Sequence, residues 1–138
     1  MARRIRIEVE GTVATAELLD EVSPRTAEAF WQTLPIDTAI WQDGWAGLAS
    51  VFRPGGTALA DAPEGEAIVC SIYPGTLVVT PRGEQAFISY GVAEYRDEMG
   101  TQYAARVARV RDGLPELAKK LASIPDEGQK RIKVTRLT

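Results

Sequence analysis

From Arg4 to Glu10 the chain alternates strictly, with Ile5, Ile7 and Val9 on one side and Arg4, Arg6, Glu8 and Glu10 on the other. A period of two predicts a strand with one face on a core and the other in water. Gly11 turns the chain back into a second strand carrying Val13, Ala14, Ala16, Leu18 and Leu19, which makes the opening a hairpin. After Asp20-Glu21-Val22 the period changes. Ala27, Phe30, Trp31 and Leu34 recur at the spacing of one helix face. Ser23 is the expected N-cap, its hydroxyl accepting from a free amide of the first turn. Pro24 suits the first helical position, which needs no amide donor, and Pro35 stops the helix.

Downstream, apolar runs separated by turn residues predict strands at Thr38 to Trp41, Leu48 to Phe52, Ala67 to Ile72, Thr76 to Thr80, Gln85 to Tyr90 and Tyr103 to Val110. The separating signals are Asp43-Gly44, Pro54-Gly55-Gly56, Pro63-Glu64-Gly65, Tyr73-Pro74-Gly75, Pro81-Arg82-Gly83 and Met99-Gly100. A second helix is expected from Leu114 to Ser123, with Leu114, Leu117, Ala118 and Leu121 as its stripe and Pro125 ending it. Arg131 to Leu137 then repeats the opening alternation, Ile132 and Val134 inward, Arg131, Lys133 and Thr135 outward. Charged-outside strands at both ends suggest that the two pair and close a barrel, leaving no free edge. About eight strands is a number whose closed interior side chains can fill. The expected fold is therefore mainly β, a closed barrel of about eight strands with two short helices, the first plugging or capping it. Residues 1–138 read as one domain, with no internal repeat or linker.

Composition narrows the chemistry. The chain contains no histidine and one cysteine, Cys70. Imidazole-activated nucleophiles, imidazole metal sites and the usual neutral-pH general base are thereby excluded, as are an internal disulfide and a cysteine metal cluster. No cofactor and no metal site are expected, since the carboxylates show no ligand spacing. A net charge of −3 argues against nucleic acid and anionic membrane as partners. No run approaches the ~20 apolar residues of a membrane span, and Met1-Ala2-Arg3-Arg4-Ile5-Arg6 lacks the apolar core of a signal peptide. The expected location is the cytoplasm.

With the elements in order, several motifs resemble those of cyclophilins. Glu17-Leu18 followed by Pro24, Thr26 and Phe30 is similar to the strand ending in Glu-Leu and the Pro-x-Thr-x-x-x-Phe helix of that family. Pro74-Gly75-Thr76-Leu77 resembles its Pro-Gly-x-Leu strand, Gln85-Ala86-Phe87-Ile88 its Gln-Phe-Phe-Ile strand, and Val110-Arg111-Asp112-Gly113 the Val-x-x-Gly before its second helix. The resemblance is to the compact bacterial cyclophilin-like proteins of unassigned function, and it implies a cyclophilin-like barrel. It also implies Phe87 as an apolar groove wall and Gln85 as a peptide contact. One departure is chemical: the family's catalytic arginine belongs to a Phe-His-Arg strand that falls near Thr38-Ala39-Ile40-Trp41-Gln42, where no arginine stands. Without a guanidinium to stabilise the twisting amide, the electrostatic part of prolyl isomerisation is missing, unless Arg53, Arg82 or Arg106 reaches the groove from another strand.

The expected activity is binding, with processing left open, of a small amide-like or carboxylate metabolite at the barrel mouth. Its expected walls are Trp41, Trp45, Tyr73, Phe87 and Tyr90, with Gln85 and Arg53 orienting the ligand. Glu94 and Arg96 are the acid and base pair to test for catalysis, although a charge run is ordinarily a solvated face. Two alternatives stay open at this level: a residual prolyl isomerase or Pro-peptide groove, and an oligomer, a homodimer for instance, whose tryptophans pack an interface.

Overall fold

The computed structural model describes residues 2–61 and 65–137; Pro63 and Glu64 of one expected turn lie outside the described residues. In chain order the elements are β1 (Arg4–Val9), β2 (Thr12–Leu18), α1 (Pro24–Thr33), β3 (Ile36–Gln42), β4 (Gly47–Phe52), β5 (Ile68–Val69), β6 (Ser71–Ile72) and β7 (Thr76–Val79). A 3-10 turn (Pro81–Gly83) leads to β8 (Ala86–Glu94), β9 (Arg96–Asp97), β10 (Gly100–Thr101), β11 (Ala104–Asp112), α2 (Leu114–Ala122), α3 (Ile124–Glu127) and β12 (Lys130–Arg136). Eight strands form a ring in the order β2-β1-β12-β3-β4-β8-β7-β11, and β11 pairs again with β2 to close it. Every pairing is antiparallel. The first and last strands pair as their matching alternation predicts, Ile7 opposite Val134 and Val9 opposite Ile132.

The two-residue period divides these strands between two apolar layers. Ile5, Ile7, Val9, Ile40, Phe52, Ile88 and Ile132 point into the barrel, where Phe30 of α1, Leu34 just beyond its end, and Leu117 and Leu121 of α2 join them. On the outer face a cross-strand row runs Trp41, Val51, Phe87, Val78. A smaller cluster covers it, with Ala46, Ile72 and the half-buried Tyr95. Trp31, on the α1 stripe, is half-buried at the surface. Its ring lies 5.1 Å from the Arg3 guanidinium and 4.8 Å from that of Arg136, and Arg136 also donates to the Trp31 carbonyl at 2.8 Å.

Three local expectations are corrected. The Ser23 hydroxyl does not cap α1; it donates to the carbonyls of Arg106, at 2.5 Å, and Leu19, at 3.3 Å, and so ties the helix entry to β11. The stretch Ala67 to Ile72 is not one strand but two short pieces, because it crosses from β11, which β5 pairs, to β8, which β6 pairs. Pro125 does not end the helical structure: it sits within α3, a one-turn helix that follows α2 directly.

Ser50 occupies an inward row between Gln42 and Ile88, and among the described residues its fully buried hydroxyl has no hydrogen-bond partner. A buried hydroxyl without a partner costs about 1–3 kcal/mol of desolvation. Ser50→Ala is therefore expected to raise stability, by about 1 kcal/mol, as an increase in the urea midpoint at constant slope; a loss of 1 kcal/mol or more would show that the hydroxyl is satisfied in solution.

Candidate functional site

At the end of β7 the chain folds tightly around Arg82. The Thr80 amide donates to the Gln85 carbonyl at 2.9 Å, the Gln85 amide donates to the Thr80 hydroxyl at 3.1 Å, and the Gly83 amide returns to the Thr80 carbonyl at 2.8 Å. The turn holds Arg82 at φ +66°, a left-handed conformation that costs a non-glycine residue of order 1 kcal/mol. Gly83 follows at φ +64°, and a Cβ there would lie 2.3 Å from the Leu59 Cβ. Only glycine lets this turn rest directly on Leu59, which is itself buried in the barrel core.

Beside this seat lies a cavity of about 310 Å³, walled by Thr26 of α1, Leu59, Val79 and Ile68, with Tyr103 and Arg82 among its polar groups. Ile68 and Tyr103 are 51% and 61% exposed, a large apolar area left in water next to the cavity. Arg82 is the one charged side chain among the described residues of this wall. Its guanidinium is exposed and has no hydrogen-bond or ion-pair partner among the described residues. Such a volume stands at the small end of ligand pockets, and an apolar wall with few polar groups is their usual make-up.

Next to the cavity, Glu66 supplies the α1 cap that Ser23 does not. Its carboxylate accepts from the Thr26 amide at 2.7 Å, the Thr26 hydroxyl at 2.9 Å and the Arg25 amide at 3.2 Å. These satisfy first-turn amides that the helix itself leaves unbonded. Partial burial pushes the Glu66 carboxyl upward, but the donors from Thr26 and Arg25 outweigh it and hold the group below the ordinary glutamate value.

The residues expected to wall a single mouth do not converge. Phe87 and Tyr90 are three apart on β8, so the pleat turns them to opposite faces. Phe87, 1% exposed, lies on the outer face under the Tyr95 ring, with centroids 5.1 Å apart. It is a core residue of the outer layer and not an open groove wall. Trp41 shares that face, with the Arg53 guanidinium 5.8 Å from its ring. Tyr90 packs on the inner layer, and its hydroxyl donates to Gln42 Oε1 at 2.5 Å; burial raises its pKa, which the Gln42 bond partly opposes.

Trp45 is 58% exposed on the turn where the Asp43 carboxylate accepts the amides of Trp45, at 2.8 Å, and Ala46, at 2.6 Å. Tyr73, 71% exposed, is held through its carbonyl, which accepts from the Ser89 hydroxyl. Gln85 closes the turn that carries Arg82. Glu94 and Arg96 form an ion pair at 2.9 Å, and Glu94 also accepts from the Thr101 hydroxyl at 2.9 Å; the Thr101 and Arg96 bonds lower the Glu94 pKa. Both side chains are engaged at the surface, by the β9–β10 hairpin. Arg106 stands in the same outer row as Phe87 with Val78 between them, and its Nε donates to the Ala67 carbonyl at 3.4 Å.

A closed eight-stranded antiparallel barrel joined by two principal helices, with its first and last strands paired, defines this chain as a cyclophilin-like barrel. The chain belongs to a family described as "Protein of unknown function (DUF3830)", whose model matches residues 5–136. Among solved structures it is similar to McbB in complex with tryptophan, with a TM-score of 0.76 at 22% identity over 96% of this chain. The chain spans less than half of McbB, 44% of its length. The hypothetical protein AF2241 from Archaeoglobus fulgidus aligns at TM-score 0.66 and 17% identity, over 99% of this chain and 95% of its own. A Cryptosporidium parvum cyclophilin type peptidyl-prolyl cis-trans isomerase aligns at 0.59 and 17%, over 100% and 99%. These identities establish shared architecture. No curated protein matches the sequence. Among the described residues, no helix is long and apolar enough to cross a membrane.

Proposed function

We propose that this protein binds a small carboxylate-bearing metabolite in the cavity between the α1 entry and the Arg82 turn, and that it does not catalyse prolyl isomerisation by the usual route. The observation that carries the reading is the Arg82 guanidinium, without a partner among the described residues, beside a mostly apolar wall. A guanidinium matches a carboxylate with two parallel hydrogen bonds, while Leu59, Val79, Ile68 and Tyr103 cover the apolar remainder of the ligand. McbB, which has the same fold, is described with tryptophan, itself a carboxylate, and this is in keeping with the class of ligand. Against the peptide groove stand the absence of arginine from Thr38 to Gln42 and the burial of Phe87.

The test is a thermal-shift and calorimetric comparison of small carboxylates, their uncharged amides and short Pro-containing peptides, with wild type and Arg82→Gln. Carboxylates are expected to bind wild type and to lose about tenfold or more in affinity in the variant, the worth of a hydrogen bond to a charged group. Binding of Pro-containing peptides alone would overturn the reading and favour the isomerase groove. Carboxylate binding unchanged by Arg82→Gln would place the site elsewhere.

A further inference from the structure

One side of the same cavity is a short row of side chains across three strands. Ile68 of β5 and Val79 of β7 both stand opposite Ala105 of β11, one on each side of it. Directly opposite residues share a face of the sheet, and all three line the cavity. Val79 is buried, Ala105 half-buried and Ile68 exposed, so the row opens from the core toward water. Its middle member is the shortest. A single methyl between two branched side chains leaves a slot. Neighbouring strands lie about 4.8 Å apart, which sets Ile68 and Val79 about 10 Å from one another. A flat ring is one atom thick and needs about 7–8 Å between the carbons on its two faces, twice the usual contact distance.

Resting on the carboxylate reading above, we infer that the ligand is a monocarboxylate bearing one aromatic ring, the ring edge-on in the slot over Ala105 between Ile68 and Val79, the carboxylate on Arg82. A puckered ring is thicker than the slot allows. A linear chain is thin enough, but it loses rotamer freedom when held, which a rigid ring does not. Tyr103, two residues before Ala105, also lines the cavity and offers an exposed ring for an aromatic contact. The hydroxyls of Thr26 and Thr80 are already engaged, by Glu66 and by the Gln85 backbone. A second carboxylate finds no further cation among the described residues of the wall. A volume of about 310 Å³ suits a ligand of one ring.

The experiment measures the affinity of the purified protein for benzoate, phenylacetate and 3-phenylpropionate and for their three cyclohexyl counterparts, in wild type, Ala105→Val and Ile68→Ala. The series varies the spacer between ring and carboxylate, and each pair differs only in whether the ring is flat. At the best spacer, wild type is expected to favour the aromatic acid by about tenfold, the order of the penalty for overfilling a fitted space. Ala105→Val fills the slot with a residue that suits a strand and should weaken aromatic binding by about tenfold or more. Ile68→Ala removes one wall at an exposed position and should erase the aromatic preference while carboxylates still bind.

Equal affinities within each pair in wild type, or tighter cyclohexyl binding, would overturn the aromatic inference and leave the carboxylate reading intact. So would failure of all six acids where other small carboxylates bind. Failure of every carboxylate would overturn both together. An aromatic preference unchanged in Ala105→Val and Ile68→Ala would overturn the slot as the ring's place. The wild-type comparison stands even where Ala105→Val disturbs the sheet.

Discussion

Phe30→Ala is expected to destabilise the protein by about 3–5 kcal/mol, the range for truncating a buried phenylalanine. The ring is fully buried. It anchors α1, whose other apolar inward residues, Ala27 and Ala29, are too small to replace it. The barrel interior is closed by paired strands on every side, so the space left by the ring has little means of collapsing, and the cavity term adds to the lost transfer energy. Against a total stability of roughly 5–15 kcal/mol the loss takes a large share. Urea unfolding measures it, with a midpoint shift at constant slope as the expected signature. A loss below about 1 kcal/mol would mean that α1 contributes little to the core. Thr26 lies one turn before Phe30 on the same helix, so a folded variant should also bind carboxylate ligands more weakly.

Gly113→Ala ranks second, at about 2–5 kcal/mol. Gly113 enters α2 at φ +85°, and a Cβ there would meet the Val13 carbonyl oxygen at 2.7 Å and the Ala14 Cα at 3.1 Å. Both obstacles are backbone of β2, a strand held on two sides by β1 and β11. The left-handed conformation accounts for about 1–2 kcal/mol of the penalty and the clash for about 1–3 more. Gly11→Ala isolates the first part, because Gly11 has a similar φ of +89° but open space where its Cβ would stand. The Gly113 variant should therefore fall below the Gly11 variant by the clash alone. Equal losses in the two would show that α2 can shift away from β2 at no cost.

Much of the barrel was legible because most ring strands present one face to a continuous core, which imprints a period of two on the chain. Arg4 to Glu10 and Arg131 to Leu137 carry the plainest copies, and they are the strands whose pairing closes the ring. The periodicity also separates Phe87 from Tyr90, although an aromatic count alone groups them. What the pattern does not carry is the company a side chain keeps across long sequence distances. Ser23 has the composition of a cap, yet a carboxylate more than forty positions on takes that role, leaving its hydroxyl for β11. The candidate cavity combines Thr26, Leu59, Arg82 and Tyr103, each unremarkable among its neighbours in sequence. The one local trace is Pro81-Arg82-Gly83, a turn signal that puts a charged residue where glycine would be the comfortable choice.

The seam between β1 and β12 also sets an order of events for folding. Ile5 pairs with Arg136 and Val9 with Ile132, so the barrel cannot close until β12 has been made. During synthesis β1 and β3 each wait with one ladder unfilled, since β12 is the neighbour of both. Pairings of such long sequence separation are slow to form because loop-closure entropy is lost before contacts repay it. Two waiting edges are also the places where another chain can add a strand. The charges alternating along β1, Arg4, Arg6 and Glu8, accordingly guard the nascent protein as well as solvate the finished one.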